Sequence, residues 1–325
     1  MAMRNPLLAS LALAAILGAT DATAQVFPSR PITVVVPFPA GGTTDVITRI
    51  IAERMRQMLA QPLIIENVVG AGGSIGVGRT ARAAPDGYTL VMGHWGTHVV
   101  NGATYQLQYD VRTAFEPISL TAANRQLIAA KKATPANDLK GLIAWLRAHP
   151  DKALQGNSGA GAGQVNGVLF QHMTGTRFQF VPYRGIAPAI QDLVTGQIDL
   201  MITSVGDLLP HVRAGTIKAY AVAAKSRSSI APDIPTVDEA GLPGFHTQLW
   251  HGLWAPAHTP KDVIAKLNAA VVDALADQTV RQRLAELGQE IFPREQQTPD
   301  GLGAYHEAEI EKWWPIIKAA GIKAD

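Results

Sequence analysis

The run Thr33-Val34-Val35-Val36-Pro37-Phe38-Pro39-Ala40-Gly41-Gly42-Thr43-Thr44-Asp45 carries the clearest chemical opportunity in the chain. A β-branched stretch stops at Pro37, a loop of prolines and glycines follows, and Ile47, Ile50, Ile51, Met55 and Met58 then recur at helical spacing. Strand, Gly-rich loop and helix in that order aim the unbonded amides of a first helical turn past the strand's end, a place that favours an anion. Thr43, Thr44 and Asp45 are capping residue types. The functional reading is a carboxylate held by the amides of Ala40 to Thr44, with the hydroxyls assisting. The plain reading is a capped strand-to-helix turn. No nucleophile or metal-ligand set accompanies the run, so it reads as a place for holding rather than reacting.

A second glycine-rich run, Gly156-Asn157-Ser158-Gly159-Ala160-Gly161-Ala162-Gly163, stands before a helical pattern in the other half of the chain. Glycines let backbone approach a ligand closely. Two such loops face to face present amides from both sides; the alternative is a surface loop. No Gly-Lys-Ser/Thr follows, so it is not a phosphate loop of the Walker type. Gly72-Gly73-Ser74-Ile75-Gly76 matches a nucleophile elbow and makes Ser74 the one candidate nucleophile, but no Asp and His partners are evident. His94 and His98 stand four apart after a strand. A metal pair is one reading, and a cleft-lining loop with Thr97 or a histidine as donor is the other. Arg184 has the fork geometry for a carboxylate, or pairs with Asp192 or Asp199. Trp95 and Trp250 offer an aromatic wall or core packing. Trp313 and Trp314 read as packing.

These residues need a scaffold. Strand-like and helix-like runs alternate: strands over 32–36, 63–68 and 88–92, a helix over 45–59, and a Gly-rich stretch over 70–78 continuing as helix to 84. Extended chain over 115–131 opens a second alternation. It has helices at 138–148, 164–174, 187–195 and 208–214, and strands at 178–182, 198–202 and 218–223. A Pro/Ser/Gly-rich loop spans 226–244, a strand 249–254, and two long helical patterns cover 263–287 and 302–317. The βαβ rhythm predicts an α/β fold of two lobes, each with a mostly parallel sheet, and C-terminal helices returning to the first lobe. Crossings near 119–124 and 249–254 form the expected hinge, and ligands in such sheets sit beyond the carboxyl ends of strands. The expected division is 25–122 with 252–325 as lobe 1, and 123–251 as lobe 2.

Residues 1–24 read as a signal peptide: Arg4, an apolar run from Leu7 to Gly18, then Ala22-Thr23-Ala24 before Gln25. Export without a single cysteine excludes a disulfide-stapled module and fits a bacterial periplasm. A net charge of +2 over 325 residues gives no support for a nucleic-acid partner.

Together the motifs resemble the periplasmic solute-binding proteins of tripartite tricarboxylate transporters, the Bug family. The resemblance is carried by Phe27-Pro28-Ser29-Arg30-Pro31-Ile32, the 36–45 run, Glu66-Asn67, Gly70-Ala71-Gly72-Gly73 and Ala84-Pro85-Asp86-Gly87-Tyr88-Thr89-Leu90. It continues through Val181-Pro182-Tyr183-Arg184-Gly185, Asp192-Leu193, Gly196-Gln197, Glu239-Ala240-Gly241 and Pro243-Gly244. The resemblance implies a type II, Venus-flytrap binding protein. It is a monomer without cofactor or metal, closing on a small di-, tri- or aromatic carboxylic acid for delivery to membrane permease subunits. It implies that Phe38 to Asp45 grips a carboxylate and that Ser158 to Ala162 lies across the cleft. Two positions depart from the family pattern. Gln164 or Val165 stands where many members have His. Thr203 and Ser204 stand where many have Asp, which brings Ser204 to the ligand and suits a second anionic end. A sensor presenting its ligand to a receptor kinase and a secreted hydrolase using Ser74 are the alternatives.

Overall fold

The computed structural model describes residues 27–158, 162–183 and 185–323. Its first half is built on β1 (Ile32–Val36), a β-branched strand almost wholly buried, as a central parallel strand covered on both faces must be. It lies between the parallel strands β2 (Leu63–Asn67) and β3 (Thr89–His94). Helix α1 (Thr43–Leu59) follows β1 and buries Ile47, Ile50, Ile51 and Met55 as the spacing predicts, with Leu59 completing the stripe in place of Met58, which is exposed.

The Gly-rich stretch after β2 is a short 3₁₀ turn, Ala71–Gly73, and then a helix, α2 (Ser74–Ala81), rather than loop to residue 78. Tertiary approach explains the difference. A Cβ on Gly76 would fall 2.6 Å from the Val68 carbonyl oxygen and 3.1 Å from Pro37 Cα. The helix needs glycine to lie this close to the exit of β1, so the residue that looks like a loop signal is a packing requirement.

After β3 comes a π-helical turn, Gly96–Val100, and the short α3 (Asn101–Thr104). The extended region is one 17-residue strand, β4 (Phe115–Lys131). The second half holds α4 (Leu139–Ala148), β5 (Leu154–Ser158), α5 (Ala162–Thr174) and β6 (Gln179–Tyr183). It continues with α6 (Ile186–Thr195), β7 (Leu200–Ser204), α7 (Val205–Arg213) and β8 (Ile217–Val222). Here β5 pairs in parallel with β6 and β7. The chain returns along β9 (Gln248–Pro256), which runs antiparallel between β3 and β4.

Strand order is β2-β1-β3-β9-β4-β7-β5-β6, with β8 and the two-residue β10 (Glu290–Ile291) also paired to β4. Parallel strands thus flank an antiparallel seam. Strand β4 pairs with β9 as far as Arg125, and from Gln126 onward with β7 and β8.

The single long helix expected over 263–287 is two helices, α8 (Lys261–Ala276) and α9 (Gln278–Glu286). Asp277 separates them and caps the second, accepting from the amides of Thr279 and Val280. Helix α8 lies on α1 and buries Ile264, Leu267, Val271, Ala274 and Leu275. The last helix, α10 (Pro299–Ala319), returns to the first half. Trp313 meets Trp95 edge-on at 4.9 Å, and Trp314 Nε1 donates to the Val99 carbonyl.

Candidate ligand site

The Pro37–Thr44 loop is shaped by one carboxylate. Asp45, in the first turn of α1, is buried, and its Oδ2 accepts from the Gly41 amide at 2.9 Å and from Arg49 Nε at 2.9 Å. Its Oδ1 accepts from Asn67 Nδ2 at 3.0 Å, and the same amide group donates to the Phe38 carbonyl. Burial works to raise the Asp45 pKa. The hydrogen bonds from Arg49, Gly41 and Asn67 outweigh it and hold the carboxyl below its ordinary range.

This changes the amide inventory. The Gly41 N–H is spent on Asp45 and the Gly42 N–H on the Pro39 carbonyl at 3.3 Å, so neither is offered to a ligand. Among the described residues no acceptor takes the N–H groups of Ala40, Thr43 or Thr44, and α1 has no side-chain cap at its start. The expected cradle over residues 40–44 narrows to these amides. The positive φ of Gly41, 80°, lets the chain turn its amide inward. The carboxylate of Asp45 and the guanidinium of Arg49 build the loop.

Next to the loop lie two histidines. The ring of Phe38, half-buried, stacks on His94 at 4.5 Å and 16°. His94 meets His251 edge-on at 5.7 Å, and His251 Nε2 shares a hydrogen bond of 3.1 Å with Thr44 Oγ1. His94 Nδ1 accepts from the amides of Gly96 at 2.9 Å and Thr97 at 3.3 Å. Burial pushes the His94 pKa down to about 4. Burial, with the His94 charge adding to it, takes His251 to about 3.

Four residues that could have lined a cleft are used elsewhere. Thr97 is fully buried and its hydroxyl bonds within the π-helical turn, to the amide and carbonyl of His94 and to His98 Nδ1. Trp95 is a core residue against Trp313, not an open aromatic wall, and Trp250 is core as well. His98 turns away from His94 to stack on Trp254 at 3.8 Å. Among the described residues no group of three or more acidic or imidazole side chains is placed to hold a metal. The Ser74 hydroxyl accepts from Asn101 Nδ2 at 3.1 Å, and among the described residues no imidazole bonds to it.

In the other half Ser158 ends β5 and Ala162 opens α5; Gly159, Ala160, Gly161 and Arg184 lie outside the described residues. Ser204 ends β7 and is buried, with no capping bond from its side chain. Helix α5 packs against the π-helical turn, and Val165, Leu169 and Phe170 join Trp95, Val99 and Val100 in one apolar cluster. The helix behind the second loop therefore touches the turn behind His94. Asn67, Arg49 and His251 were not legible as site builders. Asn67 reaches Asp45 from 22 residues away and His251 reaches Thr44 from 207, separations that no local pattern announces, whereas Arg49 meets Asp45 across a single helical turn, four residues on.

Protein BugT of Bordetella pertussis is 32% identical over 308 residues, covering 94% of each chain. The structure of the periplasmic binding protein BugD matches with a TM-score of 0.80 and 36% identity, over 92% of this chain and 100% of that one. MatC of Rhodopseudomonas palustris, solved with bound malate, matches at 0.81 and 40%, over 90% and 100%. An R. palustris protein solved with adipate matches at 0.82 and 34%, over 92% and 100%. The fold is the two-lobed α/β fold of the periplasmic binding proteins. Residues 47–322 match the sequence pattern of the tripartite tricarboxylate transporter family receptor, and the chain belongs to that family of solute-binding proteins.

Proposed function

We propose that the chain is exported, loses residues 1–24, and captures a small carboxylic acid between the amides of Ala40, Thr43 and Thr44 and the Ser158–Ala162 loop for delivery to a membrane permease. The observation that carries this reading is the Asp45 network: a buried carboxylate accepts from three donors and shapes a loop whose Ala40, Thr43 and Thr44 amides have no partner among the described residues. Amides in a first helical turn suit a carboxylate oxygen. Malate and adipate in two relatives give the chemical class, and the family's description gives the transporter. Arg184 and Ser204 are assigned to the second jaw, where a guanidinium and a hydroxyl meet the far end of the ligand. Bending belongs where β4 changes partners, between Arg125 and Gln126, with the return at Gln248. That puts the division after residue 125, close to the crossing expected at 119–124. Closure is driven by contacts that the ligand makes only when both jaws meet it.

Thermal denaturation of residues 25–325 with malate, adipate, citrate and benzoate tests the reading. A ligand at a hundred times its Kd adds about 2.7 kcal/mol to the native state, a rise of several degrees in Tm. A flat response to every carboxylate rejects it.

A further inference from the structure

The His94 ring is held more tightly than packing requires. Its Nδ1 accepts two backbone N–H groups, from Gly96 at 2.9 Å and Thr97 at 3.3 Å. A nitrogen accepting those bonds uses its lone pair, so the ring's proton is on Nε2. Phe38 covers one face and the edge of His251 stands near, which fixes the ring plane. Among the described residues Nε2 has no partner. It is also absent from the fully enclosed unpaired atoms, which include His98 Nε2 and His251 Nδ1. His94 keeps 9% of its surface accessible, whereas His98 and His251 keep none. An N–H donor of fixed direction is therefore not fully enclosed, on a ring that stands beside the loop carrying the free amides. That side is set by its stack on Phe38 and by the link from His251 to Thr44.

We propose that the His94 Nε2–H donates to a carboxylate oxygen of the ligand, completing with the Ala40, Thr43 and Thr44 amides a first jaw made only of neutral donors. This rests on the carboxylate-binding reading above. It gives His94 two separable jobs, one per ring nitrogen: Nδ1 caps the π-helical turn and Nε2 binds. Its neighbours do not duplicate the second job. Thr97 is consumed inside the turn, and Arg49 is consumed by Asp45.

The two nitrogens are separated by substitution. In His94→Asn the side-chain oxygen takes the place of Nδ1 and keeps the turn capped, while nothing stands at Nε2. In His94→Gln the amide nitrogen stands near Nε2, while the Nδ1 acceptor is lost. Calorimetric titration with malate and adipate should show His94→Asn unfolding near the wild-type temperature but binding about 10- to 100-fold more weakly, the worth of one charge-assisted hydrogen bond. His94→Gln should recover part of that affinity at reduced stability. Imidazole ¹⁵N spectra of the full mature chain at pH 7 should show the Nε2–H tautomer at His94, with the Nε2 signal displaced when the acid is added.

Wild-type affinity in His94→Asn reduces His94 to a turn cap and overturns the proposal while carboxylate binding stands. An Nδ1–H tautomer overturns it as well. Failure of the wild-type chain to bind either acid removes both this proposal and the reading beneath it. If His94→Asn does not fold, the ¹⁵N signal decides: displacement by the acid supports the proposal, and an unmoved signal rejects it.

Discussion

Asp45 separates two accounts of the first jaw. If the site worked by net charge, a carboxylate near a bound anion would be a handicap, and its removal would tighten binding. The structure gives it another task. Its oxygens hold the Gly41 amide, Arg49 and Asn67, and Asn67 in turn holds the Phe38 carbonyl. In Asp45→Ala the Gly41 amide, Arg49 and Asn67 lose a shared acceptor and the loop loses its shape. We expect a loss of stability on the order of 1–2 kcal/mol, because only the carboxylate is buried and water reaches the exposed Arg49 and Gly41 once it is gone. Affinity for malate or adipate should fall despite the gain in local positive charge. Urea denaturation and calorimetric titration check the two effects separately, and tighter binding in the variant rejects the loop-building role. The residue types at this loop were legible from the sequence. Which amides were free was not, because that depends on a side chain turning back four residues to Gly41 and on Asn67 arriving from another strand.

Elements were legible where their pattern was internal. Strand β1 announces itself by β-branching and α1 by its apolar stripe, since each is dictated by its own period. Failures came where a single residue or a distant neighbour decides. The apolar period runs on through Asp277, so the break between α8 and α9 is invisible to it, yet the Asp277 carboxylate caps two amides and starts a new axis. Asp277→Ala should cost about 1 kcal/mol, the typical worth of an N-cap, measured as a shift in urea midpoint at unchanged slope. A shift within error would mean that packing of α9, through Val280 and Leu284, fixes the break without the cap.

The elements around the site also set a pH dependence. Strands β3 and β9, the π-helical turn and α10 bury His94, His251, His98 and His306, all of which burial holds below the ordinary 6.5. Folded, His94 titrates at about 4 and His251 at about 3; unfolded, both titrate near 6.5. Between these values the unfolded chain binds the extra protons, so stability present above 6.5 is lost as the pH falls. The loss is about 1.4 kcal/mol per pH unit for each such histidine. Glu309, raised by burial beside Trp250 and Trp313, takes up its proton in the folded state and opposes the trend only above the ordinary carboxyl range. Tm should fall steadily from pH 7 to pH 5. A level Tm across that interval would show that these rings are not buried in their neutral form.

At the scale of the molecule, two antiparallel strands join the halves, and a two-stranded ribbon bends more readily than it shears. Strand β4 leaves β9 at Arg125 and takes β7 and β8 from Gln126 and Leu127. Arg125 marks the change: its guanidinium forks onto Glu290 at 2.5 and 2.6 Å, ahead of the crossing, and also reaches Ser226 beyond it. The backbone is continuous through this point, but its pairing partners differ on either side. A ligand gripped by both loops stabilises the arrangement in which they meet, and only that difference in contact shifts the balance. For a compact chain of this length the radius of gyration is about 19 Å. Saturating carboxylate should lower it by a few per cent in solution scattering, with the change absent when the acid is replaced by its dimethyl ester. An unchanged radius with ligand demonstrably bound would place the two halves in one rigid body and remove the bending point at Arg125.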